Sequence, residues 1–254
     1  MTWDPAQYLT FGSHRIRPAI DLLSAVPLKS PATILDLGCG TGNMTDFFSA
    51  RWLDARIVGL DNSAEMLAKA RDAHPDQDWI EGDVTDWKPD EPFDLVYSNA
   101  MLHWVSGHDR VFPELLSWVK PGGCLAIQMP RNFAARSHTT VYETIREGAW
   151  REQLEPMIRE EPTRPPHFYY DLFTPLVASL DLWETEYQQI LEGENPVPEY
   201  VKGSWLKPFL DGLEEPEKST FEAAYKANVL EHYPPQGDGK TLFPFRRLFI
   251  VARV

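Results

Sequence analysis

The residues of this chain best spaced for chemistry are Asp36-Leu37-Gly38-Cys39-Gly40-Thr41-Gly42. Glycines at alternate positions let a backbone turn sharply and come close to a ligand where a Cβ would clash. A dinucleotide-binding turn has the spacing G-x-G-x-x-G, but Asn43 stands where its third glycine would fall. Asp36 lies two residues before the first glycine. A carboxylate there repels a pyrophosphate and suits a cationic or amino-bearing ligand. A second acid, Asp61, closes the run Ile57-Val58-Gly59-Leu60. It follows the glycines by about 20 residues, the place from which a carboxylate accepts both hydroxyls of a ribose. The competing role for Asp61 is a loop or cap acid.

These residues need a strand before the turn and a helix after it. Ala32 to Leu37 reads as a buried parallel strand and Met44 to Trp52 as the first helix. Ala55 to Asp61 is a second strand, and Asn62 or Ser63 caps the next helix, with Glu65 as a capping-box partner for Asn62. Met66, one turn in, either packs on a ligand ring or belongs to the core. Asp78 to Val84 gives a third strand, Phe93 to Ser98 a fourth and Cys124 to Met129 a fifth. A helix is expected from Pro113 through Val119, with a turn at Pro121-Gly122-Gly123. Upstream, Ser13 to Val26 is helical, with apolar Ile16, Ile20, Leu23 and Val26 at spacings of three and four. Arg15 and Arg17 flank that stripe, either as surface arginines or facing inward from a lid whose walls are Tyr8 and Phe11.

The second half is less regular. Arg131 to Arg164 is polar, rich in Trp, Arg and Pro, and is not expected to form a regular crossover. Asp171 to Leu180 reads as a helix, Leu182 to Leu191 as a strand, Pro198 to Leu213 and Pro216 to Tyr233 as helices, and Pro244 to Arg253 as a closing strand. The expected fold is α/β: a Rossmann-like, seven-stranded, mostly parallel sheet with helices on both faces and its last strand antiparallel. One domain is expected, with a lid helix over 1–30, a core over 31–130, closing strands within 171–192 and 244–254, and a helical cap from insertions 131–170 and 193–243.

Composition excludes some functions. With 24 Lys and Arg against 38 Asp and Glu, the net charge is -14, and no basic run offers a nucleic-acid footprint. No apolar run approaches the ~18 residues of a membrane span, and the first residues carry no secretory pattern. The two cysteines, Cys39 and Cys124, form no C-x-x-C pair, so a reduced cytoplasmic protein without structural zinc is expected.

Asp36 to Gly42, the acids closing the next two strands, and Leu116 to Ala126 with its Lys120-Pro121-Gly122-Gly123 resemble, in order, the signatures of Rossmann-like methyltransferases that use S-adenosylmethionine. The resemblance implies that Asp36, Gly38 and Gly40 hold the methionyl part and that Asp61 and Asn62 hold the ribose. It implies that Asp83 bonds the adenine amino group, that Val84 borders the ring with Met66, and that Asn99 and His103 lie near the sulfonium. No metal is expected.

Over its whole length the chain resembles the members of this family that methylate a carboxylate of trans-aconitate. Trp3-Asp4-Pro5 with Tyr8-Leu9, Arg15 to Ala19, Ser98 to Ala100 with Trp104, Gln128 to Pro130 and Phe245 to Arg253 carry that likeness. It implies a small tricarboxylate substrate, a monomethyl ester product and release of S-adenosylhomocysteine, from a monomer or weak homo-oligomer. A carboxylate with pKa about 4 is already ionised at neutral pH, so no general base is required. The other carboxylates want arginine forks and hydroxyls. Arg15, Arg17, Arg131, Arg246 or its neighbour Arg247, His167, Tyr169 and Tyr170 are the candidates, with Trp104 walling the methyl site. Adjacent strand residues face opposite ways, so only one of Arg246 and Arg247 serves. Another small acid or a phenol is the alternative substrate, and a phenol would call for a base.

Overall fold

The computed structural model describes residues 16–158 and 162–254, with residues 203 and 204 as backbone alone; Tyr8, Phe11 and Arg15 lie outside them. In chain order the elements are α1 (Arg17–Ala25), β1 (Thr33–Leu37), α2 (Thr45–Arg51), β2 (Arg56–Asp61), α3 (Ala64–Ala73) and β3 (Asp78–Glu81). There follow β4 (Phe93–Asn99), a single 3-10 turn (Leu102–Trp104), α4 (His108–Ser117) and β5 (Val119–Pro130). Then come α5 (Arg136–Glu147), α6 (Arg151–Leu154), α7 (Pro166–Phe173) and β6 (Ser179–Leu191). The chain finishes with α8 (Pro196–Val201), α9 (Lys207–Asp211), α10 (Glu217–Leu230) and β7 (Thr241–Arg253).

The seven strands form one sheet in the order β3-β2-β1-β4-β5-β7-β6. Strands β1 to β5 pair in parallel, and β7 lies antiparallel on β5, with Cys124 opposite Arg253 and Pro130 opposite Arg247. The chain starts in the middle of the sheet, runs outward to β3 and returns to the far side of β1. The strand order therefore reverses between β1 and β4, and ligands bind such sheets outside the carboxyl ends of the strands at that switch.

Two compact units emerge, and the sheet-bearing one comprises Met1–Pro130, Thr163–Thr185 and Arg247–Val254. Its core is aliphatic, built on Leu35, Val58, Val96, Leu125 and Ile127, as continuous apolar parallel strands require. Helix α1 buries Ala19, Ile20, Leu22 and Leu23 within the same unit. The Tyr97 hydroxyl donates to the Ala19 carbonyl at 2.6 Å, and Arg51 donates to the carbonyls of Leu23 and Val26 at the helix end. In its described part α1 is a packed helix, with Arg17 on its exposed side. At the opposite end of the strands from the switch point, Asp94 accepts from the Ala32 and Thr33 N–H groups, the Thr33 hydroxyl and Lys120. That carboxylate ties the starts of β1 and β4 to β5.

Several elements differ from expectation. Helix α4 starts at His108 and carries Pro113 inside it. The proline removes one N–H bond, which burial of Phe112, Leu115 and Leu116 offsets. Ser63, one of the two expected caps, caps α3 by accepting the Met66 N–H at 3.4 Å, but Glu65 pairs with Lys69 rather than closing a capping box. Helix α7 begins at Pro166, earlier than expected, because proline fits a first helical turn. It packs in the sheet-bearing unit through Tyr169 and Phe173 on Phe112.

The second unit comprises Arg131–Pro162 and Glu186–Arg246. The stretch expected to contribute to a helical cap contains α5, which buries Ser137, His138, Thr140, Val141, Thr144 and Ile145. Its hydroxyl-bearing face is the packed one. Tyr225 donates to the Ser137 carbonyl at 2.8 Å, Trp150 to the Thr144 carbonyl at 2.9 Å, and Asn228 to the Thr144 hydroxyl at 3.0 Å. No helix among the described residues is long and apolar enough to cross a membrane.

Asp94→Ala removes four hydrogen bonds onto one partly buried carboxylate. It is expected to lower the stability in urea by about 2–3 kcal/mol with an unchanged m-value. A change below about 0.5 kcal/mol, the range of an ordinary surface substitution, would deny that role.

Candidate functional site

The glycine turn is held by β2. Gly38 N–H and Cys39 N–H both donate to the Leu60 carbonyl, at 2.8 and 3.1 Å. Gly40 N–H donates to Asp61 Oδ2 at 2.8 Å, and Ser63 N–H donates to Asp61 Oδ1 at 2.9 Å. Each oxygen of Asp61 thus holds one backbone group and keeps a lone pair for a ligand hydroxyl. Gly38 and Gly40 have φ of 75° and 56°, where glycine is favoured. Their second reasons differ. A Cβ on Gly38 would clash with Met101 Cγ, whereas one on Gly40 meets no atom of the described residues within 4 Å. Among the described residues the face of Gly40 is open, as a backbone cradle for a ligand requires.

Asp36 is buried in β1, and its pKa is pushed up to about 7, first by burial and then by the charge of Asp61. A cation bound beside it would return it to the ionised form. Asp83 is exposed, and the Thr85 N–H and hydroxyl hold its carboxyl below the usual range. Its Oδ2 accepts from the Asn62 amide at 3.4 Å, so those two residues stand together at the ends of β2 and β3. Val84 packs half-buried against the core, while Met66 is exposed on α3.

A second group gathers at the carboxyl ends of β4 and β5. Asn99, the last residue of β4, is registered beside Gln128 of β5. Gln128 is fully buried, and Arg247 of β7, 7% exposed, donates from Nη1 to Gln128 Oε1 at 3.4 Å. His103 is buried beside them, its pKa pushed down to about 3 by burial first and then by Arg247 and His108. It is therefore neutral. Trp104 lies against His103, the rings tilted with centroids 4.7 Å apart, and remains 58% exposed, so it belongs to no core. His108 anchors the turn carrying both, its Nε2 at 3.0 Å from the Leu102 carbonyl and its Nδ1 at 2.8 Å from the Tyr169 hydroxyl.

The remaining candidates lie elsewhere. Arg246 points outward along β7, with its guanidinium 3.7 Å from Glu186. The burial of Phe243, Phe245 and Arg247 on the other face shows which arginine of the pair turns inward. Arg131 is half-buried in the second unit, its N–H donating to the Arg246 carbonyl. His167 and Tyr170 are exposed on α7, and Tyr169 is the buried member of that run. Gln128 was not among the residues expected to act. Its signal was a lone amide in the otherwise apolar run Cys124 to Met129. Among the described residues no group of three or more His, Cys, Asp or Glu could hold a metal ion.

The reversed sheet, the open glycine turn and the acids closing β1 and β2 define a Rossmann-like methyltransferase, and residues 34–123 match the family described as a methyltransferase domain. A phosphoethanolamine N-methyltransferase 2 of Haemonchus contortus, solved with phosphomonomethylethanolamine and S-adenosylhomocysteine, shares the fold with a TM-score of 0.54. It is 15% identical, and the match covers 92% of this chain and 51% of that one. A trans-aconitate 2-methyltransferase of Azoarcus is 45% identical over 251 residues, covering 99% of this chain and 98% of its own. One from Rhodopseudomonas palustris is 42% identical over 98% of each chain. The chain belongs to the trans-aconitate 2-methyltransferase family.

The two glycines should separate under substitution. Gly40→Ala carries only the strain of a left-handed residue, about 1–2 kcal/mol. Gly38→Ala adds a steric conflict with Met101 worth a further ~1–3 kcal/mol. Thermal and urea unfolding of both variants checks this, and equal losses would show that the face of Gly40 is not open.

Proposed function

We propose that this chain transfers a methyl group from S-adenosylmethionine to one carboxylate of trans-aconitate. The observation that carries the reading is the open face of Gly40, bonded to Asp61 and lying beside a buried acid whose charge wants a cation. Full-length likeness to relatives named for trans-aconitate supports the acceptor.

The residues present fit the donor. Asp36 and the Gly38–Gly40 backbone would take its ammonium and carboxylate. Asp61 with Asn62 would take the ribose hydroxyls, and Asp83 with Val84 the adenine. Met66 flanks the ring, and Asn99 and His103 border the reacting end. Bound there, S-adenosylmethionine would supply an electrophilic methyl group, leaving S-adenosylhomocysteine once a carboxylate oxygen has taken it. The chain then has little chemistry left to perform. Its acceptor is already ionised at neutral pH, and neutral His103 need take no proton. Its work is to hold two ligands in line and to exclude water from opposite charges that would otherwise be screened.

Transfer of labelled methyl to trans-aconitate, cis-aconitate, isocitrate, citrate and a phenol tests the reading directly. Base-labile label on trans-aconitate ahead of the others is expected. Label on the phenol alone would overturn the acceptor.

A second expectation concerns pH. The folded, ligand-free chain favours protonated Asp36, so the stabilising contribution of this group is full below about pH 4 and lost as pH rises through about 7. Binding of the cationic donor runs the other way. Its Kd should fall about fivefold between pH 6 and 7 and about tenfold in all by pH 8, where it levels off. Asp36→Asn should bind weakly with no such slope. A wild-type Kd independent of pH would show that Asp36 does not answer the ammonium.

A further inference from the structure

Nothing in the donor half needs an arginine, yet Arg247 is almost wholly buried beside Gln128 and His103. The bond from Arg247 Nη1 to Gln128 Oε1 sets the orientation of the amide, because turning it over would bring two donors face to face. Gln128 Nε2 therefore points away from the guanidinium, and it has no hydrogen-bond partner among the described residues. Gln128 is itself fully buried. A buried donor left unpaired is destabilising, so its survival calls for an acceptor that arrives with a ligand. The charge balance agrees. His103 is neutral, so it adds no second positive charge to the guanidinium.

The geometry points to Arg247 and Gln128 as the subsite that holds a non-reacting carboxylate of the acceptor. One carboxylate oxygen accepts from the guanidinium and the other from Gln128 Nε2–H. The carboxylate held there is not the one methylated. A reacting carboxylate loses its charge in the transition state, and a guanidinium on it would favour the ground state and slow transfer. A carboxylate that keeps its charge throughout can be gripped hard without penalty. Arg246, exposed beside Glu186 on the opposite face of β7, takes no part. This assignment rests on the carboxyl-methyltransferase reading above.

The test uses the full-length enzyme with Arg247→Gln, Arg247→Lys and Gln128→Leu. Binding of trans-aconitate to enzyme saturated with S-adenosylhomocysteine is measured by calorimetry. Methyl transfer is measured with trans-aconitate and with analogues carrying a single carboxamide in place of one carboxylate. In Arg247→Gln, Kd and KM for trans-aconitate are expected to rise about 100-fold. The turnover number should change less than about threefold, and S-adenosylhomocysteine affinity should be unchanged. Gln128→Leu, apolar and similar in volume, should raise KM about tenfold. Arg247→Lys should recover part of the loss. One analogue should bind wild type poorly but Arg247→Gln no worse than trans-aconitate does, because both have lost the same contact. Undiminished binding in Arg247→Gln overturns the subsite, as does a fall in turnover with KM unchanged. Trans-aconitate that fails to bind wild type at all overturns the acceptor reading and the subsite together.

Discussion

The carboxylate of Asp61 is the point on which this molecule turns. One oxygen draws in the Gly40 N–H and the other the Ser63 N–H that opens α3. The turn after β1 and the helix after β2 are thereby closed onto each other across the switch in strand order. The acid suited to a ribose is thus also the group that shapes the glycine turn. Loss of Asp61 would release two partly buried backbone donors at once. The remaining geometry follows from that closure. Gly38 is pressed onto Met101, Gly40 is left open, and Asp36 is buried within reach of a second negative charge.

Electrostatics then divide the strand ends. The acids Asp36, Asp61 and Asp83 lie on β1, at the end of β2 and just past β3, while Arg247 lies on β7. Asp36 and Arg247 are three strand positions apart, roughly 14 Å at the spacing of a sheet. At that separation the two groups do not neutralise each other. A cationic ligand and an anionic one can each find a partner, with the end of β4 between them. On a chain of net charge -14, an anion is admitted only where a cation is sheltered from that background. Burial of Arg247 provides the shelter, and the low pKa of His103 keeps a further charge from being added.

Much of this was legible beforehand. The three glycines, Asp36, Asp61 and Asp83 are local features, because strand, turn and helix at the switch point are contiguous in the chain. The runs that form the first five strands were legible from their apolar spacing, whereas the strand order came from the structure. Legibility ended where packing partners are remote. Pro113 looked like a helix start and sits inside α4, because burial of its neighbours outweighs one missing bond. Arg131 to Arg164 was expected to add to a helical cap, but its polar pattern did not mark which face packs, and α5 buries serine, histidine and threonine against α10.

Arg246 and Arg247 state the division most sharply. Alternation along a strand required that only one of them face inward, and nothing local distinguished them. The choice depends on the register of β7 against β5, which sets Arg247 opposite Pro130 and brings it to Gln128. By itself the sequence determined the sheet, the glycine turn with its neighbouring acids and the class of chemistry, because those are written in short stretches with their own periodicity. Only the tertiary structure decided which cation is sheltered and which amide waits beside it. A one-residue shift in register would exchange every side chain between the two faces of the strand.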